Sequence, residues 1–299
     1  MNTVAMAKMF LSLFLLALIP ASSTAASCVW SVTRDGKTAY IGGTCHCLSK
    51  NDYPLPVEYD FAYRNSETLV FECDLDAIKS PEAAKQIEAA YSFPKGTTLK
   101  SRLSAPLYAR LAAVCASNSI PLVTLERYKP PMVMLALTFI ELNKVGIDPA
   151  WGVDSHLHRR AKADGKSEKA LETFSQQIGY LASISDGQEE AFVKYSLAEL
   201  GSTGENFREI VKAWRSGDTA QLHRLVTETL CNQFESIYRR LILERNRNWL
   251  PELEKLLATP EREFVLVGAA HLLGPDSVLE SLRKRGYEVK PLEVGEKKD

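Results

Sequence analysis

The chain has 299 residues, 36 basic against 37 acidic side chains, 45% hydrophobic residues and only five histidines. That composition excludes collagen-like, disordered and supercharged chains. A formal net charge of −1 supplies no basic field for a phosphate backbone, so nucleic-acid binding would need a local basic patch, which the sequence does not show; no nucleic acid is expected, and small molecules, peptides or proteins are favoured.

In chain order, the first segment is expected to be a leader. Residues 1–8 carry one cation, Lys8, and no acid; residues 9–19 are almost wholly apolar, Pro20 breaks the run, and Ser23, Thr24, Ala25 and Ala26 are small. This order predicts a secretory signal peptide over residues 1–26, cut after Ala25 or Ala26, and an exported protein that is periplasmic or secreted. Its apolar core of about eleven residues falls short of the roughly 20 that a membrane-spanning helix needs, so no transmembrane span is expected in the mature chain. A lipid-anchored Cys28 is the alternative, because Ala-Ala-Ser precedes it, although no leucine stands at the usual upstream position. Export also permits disulfides among Cys28, Cys45, Cys47, Cys73, Cys115 and Cys231. The sequence leaves disulfides and buried thiols both open.

Residues 28–34 alternate apolar and polar, Asp35-Gly36 is a strong turn pair, and residues 37–42 resume an extended pattern, which predicts a β-hairpin. A helix near residues 56–65 and a buried strand at residues 68–73 come next. Ser80 and Pro81 then open a helix as cap and first residue. From there to about residue 249 the pattern is overwhelmingly helical, with residues 132–140 forming an apolar run expected to be a buried helix. β structure returns at residues 263–267, followed by a loop, a helix over 276–285 stopped by Gly286, and a last strand over 287–294. The expected fold is α/β: a central mixed sheet built from strands at both ends of the mature chain, covered by a mostly helical middle. It reads as one domain over 27–294 with a helical insertion at about 80–258 and a disordered tail over 295–299.

Two segments carry the same arrangement. An apolar strand runs into Gly43-Thr44-Cys45-His46 near the start, and another runs into Gly268-Ala269-Ala270-His271 near the end. A glycine at a strand end lets the backbone turn sharply, and a histidine three residues later is then held at the sheet rim facing a cleft. Two such turns on neighbouring strands bring two imidazoles together, and imidazole is both a metal ligand and a proton carrier near neutral pH.

These two Gly-x-x-His motifs, the strand Leu69-Val70-Phe71-Glu72, Gly146-Ile147-Asp148-Pro149 leading to Gly152-Val153-Asp154, the step Leu171-Glu172-Thr173, Arg245-Asn246-x-x-Trp249, and Arg285-Gly286-Tyr287-x-Val289 occur in a familiar order. The chain resembles the TraB/GumN family, relatives of the Tiki proteases, over essentially its whole mature length. The resemblance implies a metal-dependent hydrolase-type site on an α/β scaffold similar to the erythromycin esterase and ChaN-like proteins. Carried onto this sequence, it implies a divalent cation, of unspecified identity, held by His46, His271 and Glu72. A carboxylate in that place either ligates the ion or acts as general base on its water.

Glu172 is the second acidic candidate for a catalytic role. Arg245 would bind a substrate carboxylate or a developing oxyanion, and Asn246 would hold a neighbour. Asp154 reads equally well as the N-cap of a helix over 155–163. His156 and His158, two apart on that helix, point to different faces and are expected, with His223, at the surface. Where relatives carry an apolar strand, residues 166–170 are too polar for a buried one. The expected activity is hydrolysis of a peptide or other acyl bond, with the peptide or small-molecule substrate undefined. The alternative is a non-catalytic envelope protein that binds iron, haem or a polysaccharide-related ligand in the same cleft.

Overall fold

The computed structural model describes residues 27–295, so the leader expected over 1–26 and residues 296–299 of the expected tail lie outside the described residues. Asp35 and Gly36, at φ 51° and 76°, make the two-residue turn that an Asp-Gly pair favours, joining β1 (Val29–Arg34) to β2 (Lys37–Thr44). Helix α1 (Val57–Arg64) leads into β3 (Thr68–Phe71). The remaining strands are β4 (Ser167–Ala170), β5 (Glu263–Gly268) and β6 (Glu288–Pro291), and the sheet order is β4-β3-β5-β2-β1-β6. β2, β5, β3 and β4 run parallel, whereas β1 is antiparallel to both β2 and β6. The sheet is therefore mixed and draws strands from both ends of the sequence, the α/β architecture expected.

β5 lies between β2 and β3, and all of its residues are buried. That is why residues 264–267 read as a continuous apolar run and not as an alternation. Register aligns the strand ends, because Thr44 pairs with Gly268 and Phe71 with Leu266. The chain thus leaves β2, β3 and β5 at one rim, the carboxyl ends of parallel strands where α/β proteins bind their ligands.

The polar residues at 167–170 do form a strand, and it is an edge strand. Three of its four residues are exposed and it pairs only with β3, so its charges blunt an edge and need no apolar face. The ladder continues past it: the Leu171 N–H donates to Phe71 O and the Glu172 N–H to Glu72 O. Edge pairing therefore carries Glu172 alongside Glu72.

Between β3 and β5 the chain is largely helical. Helix α2 (Pro81–Tyr91) opens as expected, with Ser80 accepting from the Ala83 N–H and Pro81 in the first turn. Helix α3 (Pro130–Lys144) contains the apolar run, but only one face is buried. Val133, Met134 and Leu137 pack with Leu99, Leu111 and Val193 in a cluster apart from the sheet, while Leu135 is 43% exposed. Among the other helices are α4 (Val153–Asp164), α5 (Phe174–Ala182), α6 (Thr203–Arg215), α7 (Arg245–Leu257) and α8 (Val278–Arg283). All six cysteines are free thiols, buried except for the half-buried Cys231. Among the described residues no helix is long and apolar enough to cross a membrane.

The turn that leaves β2 is held from two sides. Tyr59 Oη and Trp214 Nε1 both donate to Gly43 O, the latter at 2.7 Å, and the Val153 N–H at the start of α4 donates to Cys45 O at 3.0 Å. Gly152 comes so close that a Cβ there would stand 2.1 Å from His46 O. Backbone cannot yield as a side-chain tip does. Gly152→Ala is therefore expected to destabilise the fold by about 1–3 kcal/mol, read as a lower urea midpoint at unchanged m-value. A midpoint equal to wild type would show that α4 does not hold this turn.

Candidate active site

His46 follows the end of β2 and stands at the rim with its side chain 59% exposed. Its Nδ1 lies 2.8 Å from Asp154 Oδ2, and Thr44 Oγ1 donates to Asp154 Oδ1 at 3.0 Å. The carboxylate accepts a hydrogen bond from Nδ1–H, which aims Nε2 at Glu72. The negative charge of Asp154 raises the imidazole above its ordinary value of 6.5, to about 9, against the opposing effect of burial. Asp154 is therefore not the cap expected from sequence. Gly152 caps α4, and the buried Asp154 carboxylate serves His46 from the first turn.

Glu72 immediately follows β3 and is buried. Its Oε1 accepts from the Gly268 N–H at 2.7 Å, and its Oε2 accepts from Arg245 Nη2 at 2.5 Å and Gln177 Nε2 at 3.1 Å. Both imidazoles approach one oxygen of this carboxylate, with His46 Nε2 3.9 Å and His271 Nε2 3.8 Å from Oε1. Gly268 leaves the room for them, since a Cβ there would stand 3.0 Å from His46 Nε2 and 3.2 Å from Glu72 Oε1. Burial works to raise Glu72, but the Arg245 guanidinium above all, with His46 and the Gly268 N–H, reverses this and holds it well below the usual carboxylate range.

Arg245 opens α7 directly after a π-helical turn over Arg239–Glu244, a device frequent at functional sites. It is buried and bridges two carboxylates: Nη2 lies 2.7 Å from Glu172 Oε1, and Nε lies 3.2 Å from Glu172 Oε2. Trp249, one turn along, stacks on the guanidinium at 4.6 Å and donates Nε1 to Glu172 Oε2 at 2.9 Å. Burial pushes Glu172 up, with Arg245 opposing it. Every donor nitrogen of Arg245 is engaged within the protein, so this guanidinium organises the carboxylates around it.

His271 is buried, and its ring stacks on Trp249 at 4.4 Å. Asn246 Nδ2 donates to Asp276 O at 3.0 Å and His271 O at 3.4 Å. Its Oδ1, 2.7 Å from His271 Nδ1, must then accept the Nδ1–H. The Nε2 lone pair faces Glu72 and takes the Arg245 Nη1 donor at 3.1 Å. Burial drives this imidazole down to about 3, so it is neutral.

The structure thus brings His46, Glu72, Glu172, Arg245 and His271 together, with Asn246 holding His271. Gln177 on α5 also belongs, since it bonds Glu72 and accepts from Cys73 Sγ at 2.9 Å; no sequence signal pointed to it. His158, expected at the surface, is buried between Glu168, at 2.9 Å, and Asp76, at 3.2 Å, because it faces the sheet edge from α4. His156 and His223 are half-buried, not exposed: His156 packs against Tyr53, and His223 bonds Thr227 Oγ1 at 2.5 Å.

Among the described residues, Asp76, His158 and Glu168 are the one set of three potential metal ligands whose atoms all lie within 4.8 Å of one another. Lys162 Nζ already bridges that pair of carboxylates, 2.7 Å from Asp76 and 3.3 Å from Glu168, so an ammonium fills the place of a cation. The rim donors are spread more widely, but their chemistry fits a divalent ion: two imidazole nitrogens flank an ionised carboxylate, each ring fixed by a partner on its other nitrogen. His46, Glu72 and His271 are the residues that would hold such an ion, the imidazole Nε2 atoms standing 3.9 and 3.8 Å from Glu72 Oε1, and it would supply a Lewis acid at the rim.

A cleft of about 280 Å³ opens on His46, Glu72 and Asp154. Of three larger clefts, those of about 710 and 760 Å³ contain none of the gathered side chains, whereas one of about 670 Å³ is lined by Glu172 and Trp249.

A sequence model of the TraB/PrgY/gumN family matches residues 28–291. The chain is 24% identical to the uncharacterised protein YbaP of Shigella flexneri, over 82% of this chain and 88% of that protein. It is also 24% identical to the metalloprotease TIKI1 of Danio rerio, over 90% of this chain and 64% of that protein, and 24% identical to the metalloprotease TIKI1 of Homo sapiens, over 92% and 64%. It therefore spans less than two thirds of either TIKI1. No solved structure matches the chain.

The Asp154–His46 pair makes a pH prediction. Because folding raises the imidazole, the pair's contribution to stability is fully present below the ordinary value of 6.5 and is lost as pH rises through about 9. In metal-free protein, Asp154→Asn should bring the His46 ring titration, followed by NMR, back toward the ordinary range. Any stability gap between wild type and variant should be present at pH 6 and shrink toward pH 10. Superimposable ring titrations would refute the pairing.

Proposed function

The chain belongs to the TraB/PrgY/gumN family, and from that premise we propose that it is an exported metal-dependent hydrolase of peptide or other acyl bonds, working at the rim of β2, β3 and β5. The observation that carries this reading is the approach of two imidazoles to one oxygen of an ionised, buried carboxylate. Similarity to proteins named as metalloproteases supports the same class of chemistry. The leader-type sequence of residues 1–26 supports export.

His46, Glu72 and His271 would hold the ion. When bound, a divalent cation supplies a Lewis acid and makes hydroxide available near neutral pH. The chain's own groups do the rest. Asp154 orients His46, and Asn246 orients His271 with its lone pair inward. Arg245 keeps Glu72 anionic and, with Gly268 and Gln177, fixes its two oxygens. Arg245 and Glu172 are thus positioning residues, and the exposed His46 is the group through which the site meets substrate and exchanges protons.

The test is metal analysis of purified mature protein beside a His46→Ala, His271→Ala double variant, with hydrolysis of a peptide library assayed after chelation and after return of zinc, manganese or cobalt. Wild type is expected to retain about one equivalent and to need it for cleavage, the double variant to lose both, and Asp154→Asn to bind metal about 10- to 100-fold more weakly. Equal, negligible metal in wild type and double variant would sink the reading. The mature protein should begin at Ala26 or Ser27 on N-terminal sequencing; an intact Met1 would refute cleavage, and a lipidated Cys28 would place the protein on a membrane.

A further inference from the structure

The cleft that opens on His46, Glu72 and Asp154 has a second wall of different character. Phe71, Leu75, Ile78 and Leu181 line it, and neither lysine nor arginine does. Ile78, in the turn before α2, is 44% exposed, a large apolar side chain left in water beside polar catalytic-type groups. Leu181 lies four residues after Gln177 on α5, so both project from one helix face. The helix that fixes Glu72 through Gln177 therefore also presents an apolar side chain to the same space.

We propose that this wall is a subsite for one bulky apolar side chain of a peptide substrate, seated next to the bond that His46 and Glu72 face. The inference rests on the hydrolase reading and names its substrate class. Size supports a single side chain, because about 280 Å³ falls just below the roughly 300–1,000 Å³ of sites that enclose a whole drug-sized ligand. Charge supports an apolar one. Glu72 is already paired with Arg245 and His46 with Asp154, and no lysine or arginine lines the apolar wall to receive an acidic group. Burying a leucine- or phenylalanine-sized side chain is worth about a tenfold or larger preference over leaving it in water.

The experiment incubates metal-loaded wild type with a degenerate peptide library and reads cleavage positions by mass spectrometry, alongside Ile78→Lys and Leu181→Lys. Ile78 is exposed enough for its replacement to leave the fold intact, which a thermal melt verifies. Wild type is expected to enrich Leu, Ile, Met or Phe about tenfold or more at one position flanking the cut and to deplete Asp and Glu there. The lysine variants should cleave with that preference lost or shifted toward acidic residues. Cleavage without apolar enrichment, or enrichment unchanged in both variants, overturns the subsite while leaving the hydrolase reading standing. If wild type cleaves nothing, the hydrolase reading fails, and methyl NMR decides the subsite. N-acetyl-leucinamide should then shift the Leu75, Ile78 and Leu181 methyl signals and N-acetyl-aspartate should not; silence from both overturns the proposal.

Discussion

A single guanidinium, Arg245, is buried at the sheet rim against two carboxylates that lie on adjacent strand exits, Glu72 after β3 and Glu172 after β4. Taking these charges out of water is costly, and the cost is offset only when every charge has a well-placed partner. The surroundings meet that demand. Trp249 covers the flat face of the guanidinium and caps Glu172, while the Gly268 N–H and Gln177 satisfy what Arg245 leaves open on Glu72. Removing any one member would leave a buried charge short of a partner, so β3, β4, β5, α5 and α7 are held in one arrangement by one electrostatic requirement.

That requirement explains features which look unrelated. The edge strand β4 buries little apolar surface, yet its pairing with β3 sets Glu172 beside Glu72. Gly268 ends β5 without a side chain because a Cβ would crowd His46 and Glu72, while its N–H remains free to bond Glu72. A glycine there serves as donor and as open space together, and alanine could supply only the first. The π-helical turn before Arg245 lies where one added residue per turn changes which side chain faces the sheet.

The sheet and the rim histidines were legible because their signals are local. A buried parallel strand is a run of apolar residues, and a strand ending in Gly-x-x-His carries its own turn, so β2, β5, His46 and His271 could be read within a few residues. Glu72 came from the family resemblance, which set it at the end of a strand; by itself a glutamate there reads as well as an arginine's partner. Asp154 was ambiguous because a carboxylate near a helix start reads as a cap, and its real partner lies 108 residues away. The spacing of His156 and His158 showed that they diverge but not which one faces the protein, and it is His158 that is buried. An edge strand such as 167–170 has no apolar face to give it away. Gln177 carries no signal at all, since an amide on a helix is ordinary until the fold sets it against a carboxylate.

The two Gly-x-x-His turns are alike in sequence and opposite in electrostatics. His46 is open to solvent with a carboxylate on Nδ1, and its imidazole is raised to about 9; His271 is enclosed with a carboxamide on Nδ1, and its imidazole is lowered to about 3. A carboxylate partner stabilises imidazolium, whereas an amide oxygen accepts one N–H and offers no compensating charge, and the nearby Arg245 cation disfavours a second. Paired groups whose environments drive their protonation apart are a recognised sign of divided labour. Near neutral pH, then, His271 is a neutral ring whose Nε2 accepts from Arg245, and His46 is a solvent-open ring that carries its proton beside Asp154. The symmetry of the motif places two identical side chains at one rim, and the residue on the far nitrogen of each helps to decide which of them carries a charge.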